Sequence, residues 1–151
     1  MRSRRECREA ALQALYLCDA MGDFSVERLS VYSSHFRTHV DEDDENVQER
    51  SEPAEFFNEI IQGVVANLES IDHAISLAST HWSLARMALV DRNILRIAVY
   101  EMLHRSDIPP KVCINEAIEV AKRFAAPESS VFINGVLDKV AQQSQVKSVS
   151  A

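Results

Sequence analysis

The sequence predicts an all-α protein, and three observations predict it. Glycine and proline are scarce, at 3 and 4 residues in 151, too few for a turn-rich β fold. Apolar residues recur at steps of three and four along most of the chain. A chain of this length buries roughly 70% of its unfolded surface, so a helical core needs no metal or disulfide staple. The length allows one domain or two tightly packed helical subdomains.

The first helix is expected from about Ser3 to Ala20. Cys7, Ala11, Ala14, Leu15 and Cys18 centre one face, Leu12 and Tyr16 widen it, and the N-terminal arginines are expected to project free. Met21-Gly22-Asp23 stops it, since Gly22 suits the left-handed C-terminal position. A weaker helix over Ser25 to about His39 carries Val26, Leu29, Val31, Tyr32 and Phe36. The acidic stretch 41–55 is nearly devoid of apolar side chains and reads as a solvated loop. Pro53 then opens a helix whose apolar positions run Phe57, Ile60, Ile61, Val64, Leu68, Ile71 and Ile75. Further helices are expected over about Leu89–Arg105 and Val112–Phe124, parted by Pro109-Pro110. Val131 to Leu137 is ambiguous. Asn134-Gly135 between apolar runs is a hairpin signal, yet Phe132, Ile133, Val136, Leu137 and Val140 also make one helical face behind a cap at Ser129 or Ser130. An isolated hairpin is marginal in a helical chain, which favours the helix.

Net charge is −7, but the segment Asp41–Glu55 holds eight acidic residues against one basic and so carries all of it. Arg2, Arg4, Arg5 and Arg8 crowd the other end of the charge scale within eight residues. Global acidity therefore does not exclude a polyanionic partner. Guanidinium forks suit phosphates and stack on unpaired bases; the plainer alternative is a solubilising terminus paired with nearby carboxylates. Three cysteines without a CxxC pair suit reduced thiols in a cytoplasmic protein. No apolar run approaches a membrane span. His35 and His39 have helical metal-ligand spacing, with Asp41 nearby, but lack the accompanying glutamate and read as surface histidines. With three isolated glycines there is no phosphate loop, and Cys113 reads as a packed small hydrophobe. The expectation is no catalytic residue, no metal and no cofactor.

Five stretches resemble the NusB family: REAALQALY, FFNEIIQGV, DRNILRIAVYEML, KVCINEAIEVAKRF and FINGVLDKV. They span most of the chain, leaving Phe24–Glu52 and the tail divergent. The resemblance implies two small packed helical bundles, with Asn134-Gly135 helical. The division of the single domain, residues 1–151, is expected near residue 80: an N-terminal half of about 1–80, a C-terminal half of about 81–143, and a frayed tail over 144–151.

By the same resemblance, the protein pairs with ribosomal protein ten of the small subunit and binds boxA-like single-stranded nascent RNA. It thereby joins the RNA polymerase antitermination complex and promotes read-through, notably in ribosomal RNA operons. Arg4, Arg5 and Arg8 match the family's arginine-rich RNA-contacting start, and Phe124, Glu128 and Phe132 match the edge of that surface. Tyr16 and Asp91 match positions facing the protein partner. Val131 stands where a lysine is common, and the basic run is short and interrupted by Ser3 and Glu6, which implies greater reliance on the partner. Each residue has a plainer role: core packing for Phe124, Phe132 and Tyr16, and helix capping for Asp91. Two other functions remain open. One is a homodimeric helical interaction module without RNA. The other is the RNA-holding domain of an RNA methyltransferase, whose further cofactor-binding domain is not expected within 151 residues.

Overall fold

The computed structural model describes residues 3–42 and 47–149, with side chains over 3–36 and 53–144. Arg2, Asp43 to Glu45 and the last two residues of the tail lie outside them, as do the side chains of His39 and Asp41. Among the described residues seven α-helices and one 3-10 turn follow in order: α1 Arg4–Met21, α2 Val26–Glu42, α3 Val47–Ala66, α4 Leu68–Ala78, the turn Leu84–Arg86, α5 Leu89–His104, α6 Pro110–Phe124 and α7 Ser129–Val149. They form two compact units that divide between Ala66 and Asn67. The sequence had suggested a division near residue 80.

In the first unit α1, α2 and α3 all pack on one another. Ser3 caps α1 by accepting a hydrogen bond from the Glu6 N–H at 3.2 Å. At the other end Gly22 adopts φ 64°. Its N–H reaches the Asp19 carbonyl and that of Asp23 reaches Cys18, which together satisfy the last turn. The chain then re-enters helix at once. Asp23 Oδ1 accepts from the Ser25 N–H at 3.0 Å, and Ser25 Oγ accepts from the Arg28 N–H at 3.2 Å. Hydrogen bonds from the Ser25 side chain and backbone, with help from Arg28, hold the Asp23 carboxyl below its usual range. Burial, reinforced by the Asp23 charge, pushes the Cys18 thiol up and keeps it protonated. Cys7, Cys18 and Cys113 are all buried and free of disulfides.

Two corrections concern α2 and α3. The acidic stretch is not a long loop, because α2 runs on through Glu42 and α3 begins by Val47. Its glutamate, glutamine and arginine are good helix formers, and carboxylates early in α3 suit the positive helix start. Apolar poverty predicts a loop, but a polar helix has the same composition. Pro53 lies inside α3 rather than at its first turn. The Phe36 and Phe57 rings stack with centroids 4.2 Å apart, and the Ser33 hydroxyl donates to Asn58 Oδ1, so α2 is pinned to α3.

The second unit is built around α5, which packs on α4, α6 and α7. Every residue from Asn93 to Glu101 is buried. A helix buried on all sides must also satisfy its polar side chains internally. Asn93 Nδ2 donates to the Leu89 carbonyl at 2.8 Å. Arg96 donates to Asn93 Oδ1 at 3.1 Å and makes a bidentate pair with Asp72 of α4, both contacts at 2.9 Å. The expected single helix through Ile75 is broken at Asn67, so that Ile71 and Ile75 belong to this unit's core while Phe57 to Val64 serve the first. Asn134-Gly135 is helical within α7, with Ile133, Val136, Leu137 and Val140 buried. The helix continues to Val149, where a frayed tail had been expected from residue 144. Among the described residues no helix is long and apolar enough to cross a membrane.

The Arg96–Asp72 pair generates a stability prediction. Arg96 keeps 8% of its side-chain surface exposed and Asp72 keeps 25%. Removing one partner of a fully buried pair costs about 3–5 kcal/mol, and the partial hydration of Asp72 reduces this to about 2–3 kcal/mol. Arg96→Ala should lower the unfolding free energy by that amount in a urea titration. A loss below about 1 kcal/mol would remove the pair from the unit's main supports.

Candidate nucleic-acid interface

The basic end of α1 is held by three contacts to α3. The Cys7 thiol lies 3.4 Å from the Pro53 carbonyl, within reach to donate a weak hydrogen bond to it. The guanidinium carbons of Arg4 and Arg8 lie 5.2 and 5.3 Å from the centroid of the Phe56 ring. Both are within cation–π range. Arg4 and Arg5 are exposed, whereas Arg8 is only 5% exposed. The expectation that the arginines project free is corrected: Arg4 rests on the Phe56 ring and Arg8 is buried against it. The position of Arg8, one residue past Cys7 on the buried face, draws the stem inward, and the charged head ends over an aromatic face. What α1 offers to solvent here is Arg5 and a ring-backed Arg4.

Phe124, Glu128 and Phe132 surround the connection from α6 to α7 in the second unit. Phe124 is the last residue of α6, Glu128 is exposed just before α7, and Phe132 is in the first turns of α7. Both rings are half-buried. The Arg123 guanidinium lies over the Phe124 ring at 5.2 Å, and Lys122 donates to Glu119 at 3.1 Å. A base arriving at Phe124 would meet a planar cation as well as a ring, and either can stack on it.

Tyr16 is 37% exposed on α1, beside the more exposed Leu17 and Met21. These three give the C-terminal half of α1 an apolar outer surface, whereas the periodicity predicts that Tyr16 widens the buried face. Asp91 is different. It is half-buried in the first turn of α5, and its Oδ2 accepts a hydrogen bond from Ser129 Oγ at 3.1 Å. The N-cap position of that helix is Ala88, with no side-chain capping bond. Asp91 thus ties the start of α5 to the start of α7, and Ser129, expected as a cap, is spent on that tie. Among the described residues no cluster of three or more histidine, cysteine or acidic side chains could hold a metal.

Phe56, Arg123 and Ser129 were missed as functional neighbours. Only Phe56 left a signal: adjacent Phe56 and Phe57 sit about 100° apart on a helix, so they serve different neighbours. Which neighbour Phe56 serves depends on how α1 and α3 pair, which no local spacing records.

The Asp91–Ser129 contact predicts that a partner defect at Asp91 will be mixed with a structural one. Hydrogen bonds to charged groups contribute about 1.5–3 kcal/mol, and partial exposure places this one near the lower bound. Ser129→Ala should lower stability by about 1–2 kcal/mol by chemical denaturation. An unchanged midpoint would show that Asp91 is free to serve a partner alone.

Comparison with known proteins agrees with this architecture along nearly its whole length. Residues 5–142 match the NusB family. The transcription antitermination protein NusB of Citrifermentans bemidjiense is 47% identical over 141 residues, covering 93% of this chain and 95% of that one. The solved NusB of T. maritima superimposes with a TM-score of 0.76 at 36% identity, over 93% of this chain and 92% of that one. A chain in the crystal structure of a plectonemic RNA supercoil gives a TM-score of 0.74 at 26% identity, over 95% of this chain and 97% of that one. With its helical order, its arginine-bearing α1 and these matches, the chain belongs to the NusB family.

Proposed function

We propose that this protein is an RNA-binding transcription antitermination factor. With ribosomal protein ten of the small subunit it binds boxA-like single-stranded RNA and promotes read-through by RNA polymerase, notably in ribosomal RNA operons. It acts in the cytoplasm by binding rather than catalysis. The observation that carries this reading is the 47% identity, over nearly all of both chains, to a relative named a transcription antitermination protein. The arginine-bearing edge of α1 supplies the chemistry: exposed Arg4 and Arg5 present planar hydrogen-bond donors that suit phosphates. A chain of the same fold, 26% identical, occurs in a crystal structure named for an RNA supercoil.

Within this reading Arg4 and Arg5 contact the RNA backbone, and Arg8 acts from behind them because little of it reaches solvent. Phe124, Glu128 and Phe132 form the second RNA-facing element, with the Phe124 ring and its Arg123 neighbour offering stacking surface. Tyr16, with Leu17 and Met21, is the outer face proposed to meet the protein partner, and Asp91 contributes from the second unit.

The test is a salt titration on boxA-bearing and scrambled RNAs with the ribosomal partner present. Each phosphate contact to a single strand contributes roughly −0.7 to the slope of log affinity against log salt. Arg4→Ala with Arg5→Ala should shallow the slope by about 1.4, and wild type should prefer the boxA RNA. Equal weak binding of both RNAs by wild type would overturn the function, and an unchanged slope would move the RNA surface away from α1.

A further inference from the structure

We propose that Phe56 is a positioning residue for RNA binding: its ring gathers the Arg4 and Arg8 guanidiniums and sets them for the phosphate backbone. The inference rests on the RNA-binding reading above. Arg4 and Arg8 lie one helical turn apart, where like charges repel. Each is a long side chain with considerable rotamer freedom to lose on binding. Left to solvent, they would sample many directions and avoid one another. Instead both guanidinium carbons stand 5.2–5.3 Å from the centroid of one ring. An aromatic face attracts each cation and so offsets their repulsion.

The ring is itself firmly placed. Phe56 is 7% exposed and precedes Phe57, which is buried and stacked on Phe36. The Cys7–Pro53 contact fixes α1 against α3 about one turn away from the ring. Two cations are therefore ordered before any ligand arrives, and ordering completed in advance is not charged against affinity later. The arrangement also assigns different roles to the pair. Arg4 keeps an exposed head for direct contact, while the poorly hydrated charge of Arg8 adds to the field behind it.

A purely structural Phe56 would do none of this, and the test must separate the two. Full-length protein with its ribosomal partner is titrated with boxA-bearing RNA. The variants are Phe56→Leu, Phe56→Tyr, a trifluorinated phenylalanine at position 56, Arg4→Ala, and Arg4→Ala with Phe56→Leu. Fluorination keeps the ring's shape and weakens its negative face, so it reads the cation–π contact even if the leucine variant folds poorly. Loss of that contact should weaken RNA binding about three- to tenfold in the fluorinated and leucine proteins, at an unfolding midpoint near wild type for the former. Tyrosine should restore most of the affinity. In the Arg4→Ala background, Phe56→Leu should cost less than it does alone, because the two act through one contact. Wild-type affinity in the fluorinated protein, or an undiminished leucine effect without Arg4, overturns the inference while leaving the RNA-binding function in place. Failure of wild type to bind boxA RNA overturns both.

Discussion

The register of α1 on α3 is the constraint from which the functional surface of the first unit follows. Cys7, Ala11, Leu12, Ala14, Leu15 and Cys18 are all buried, and that stripe leaves α1 one way to lie. Helical geometry then decides where each arginine goes. Arg8 adjoins the stripe and is drawn in; Arg4, a turn earlier, meets the same ring from a more exposed position; Arg5 faces water. A protein of net charge −7 thus shows a cationic edge because of how an apolar face packs, without any global excess of basic residues. The acidic residues that dominate the total are gathered between positions 41 and 55.

The second unit follows a related logic with polar groups inside. α5 is enclosed by three helices, so Asn93 and Arg96 could be kept only with partners, and the bidentate Asp72 and the Leu89 carbonyl provide them. The ends of its helices then carry the candidate functional groups. Asp91 opens α5, Phe124 closes α6, and Glu128 and Phe132 flank the start of α7. Helix ends therefore set Asp91, Phe124 and Phe132, with Glu128 in the turn between α6 and α7, and the Asp91–Ser129 hydrogen bond shows that a functional candidate can also be a support.

Much of this was legible in the chain. The stripes of α1, α5 and α6 are legible from periodicity alone, and the stop at Gly22 from the conformational freedom of glycine. The helical state of Asn134-Gly135 needed more, since hairpin and helix were nearly balanced locally. What escaped depended on partners distant in sequence. The break at Asn67 was hidden because Val64, Leu68 and Ile71 keep helical spacing across it while serving two different cores. The helical acidic stretch was hidden because a solvated helix start and a polar loop share one composition. Of the site, the exposed arginines were legible by residue type. The burial of Arg8 was not, because the ring that receives it lies 48 positions away. The tie from Asp91 to Ser129, 38 positions apart, was hidden for the same reason.

The central claim is that the arginine edge of α1 meets RNA directly, and side-chain NMR of the arginine Nε–H groups tests it most directly. With the ribosomal partner bound, boxA-bearing RNA should shift the Arg4 and Arg5 signals strongly and the Arg8 signal less, saturating at the stoichiometry of binding. Tight RNA binding that leaves all three arginine signals in place would contradict the account.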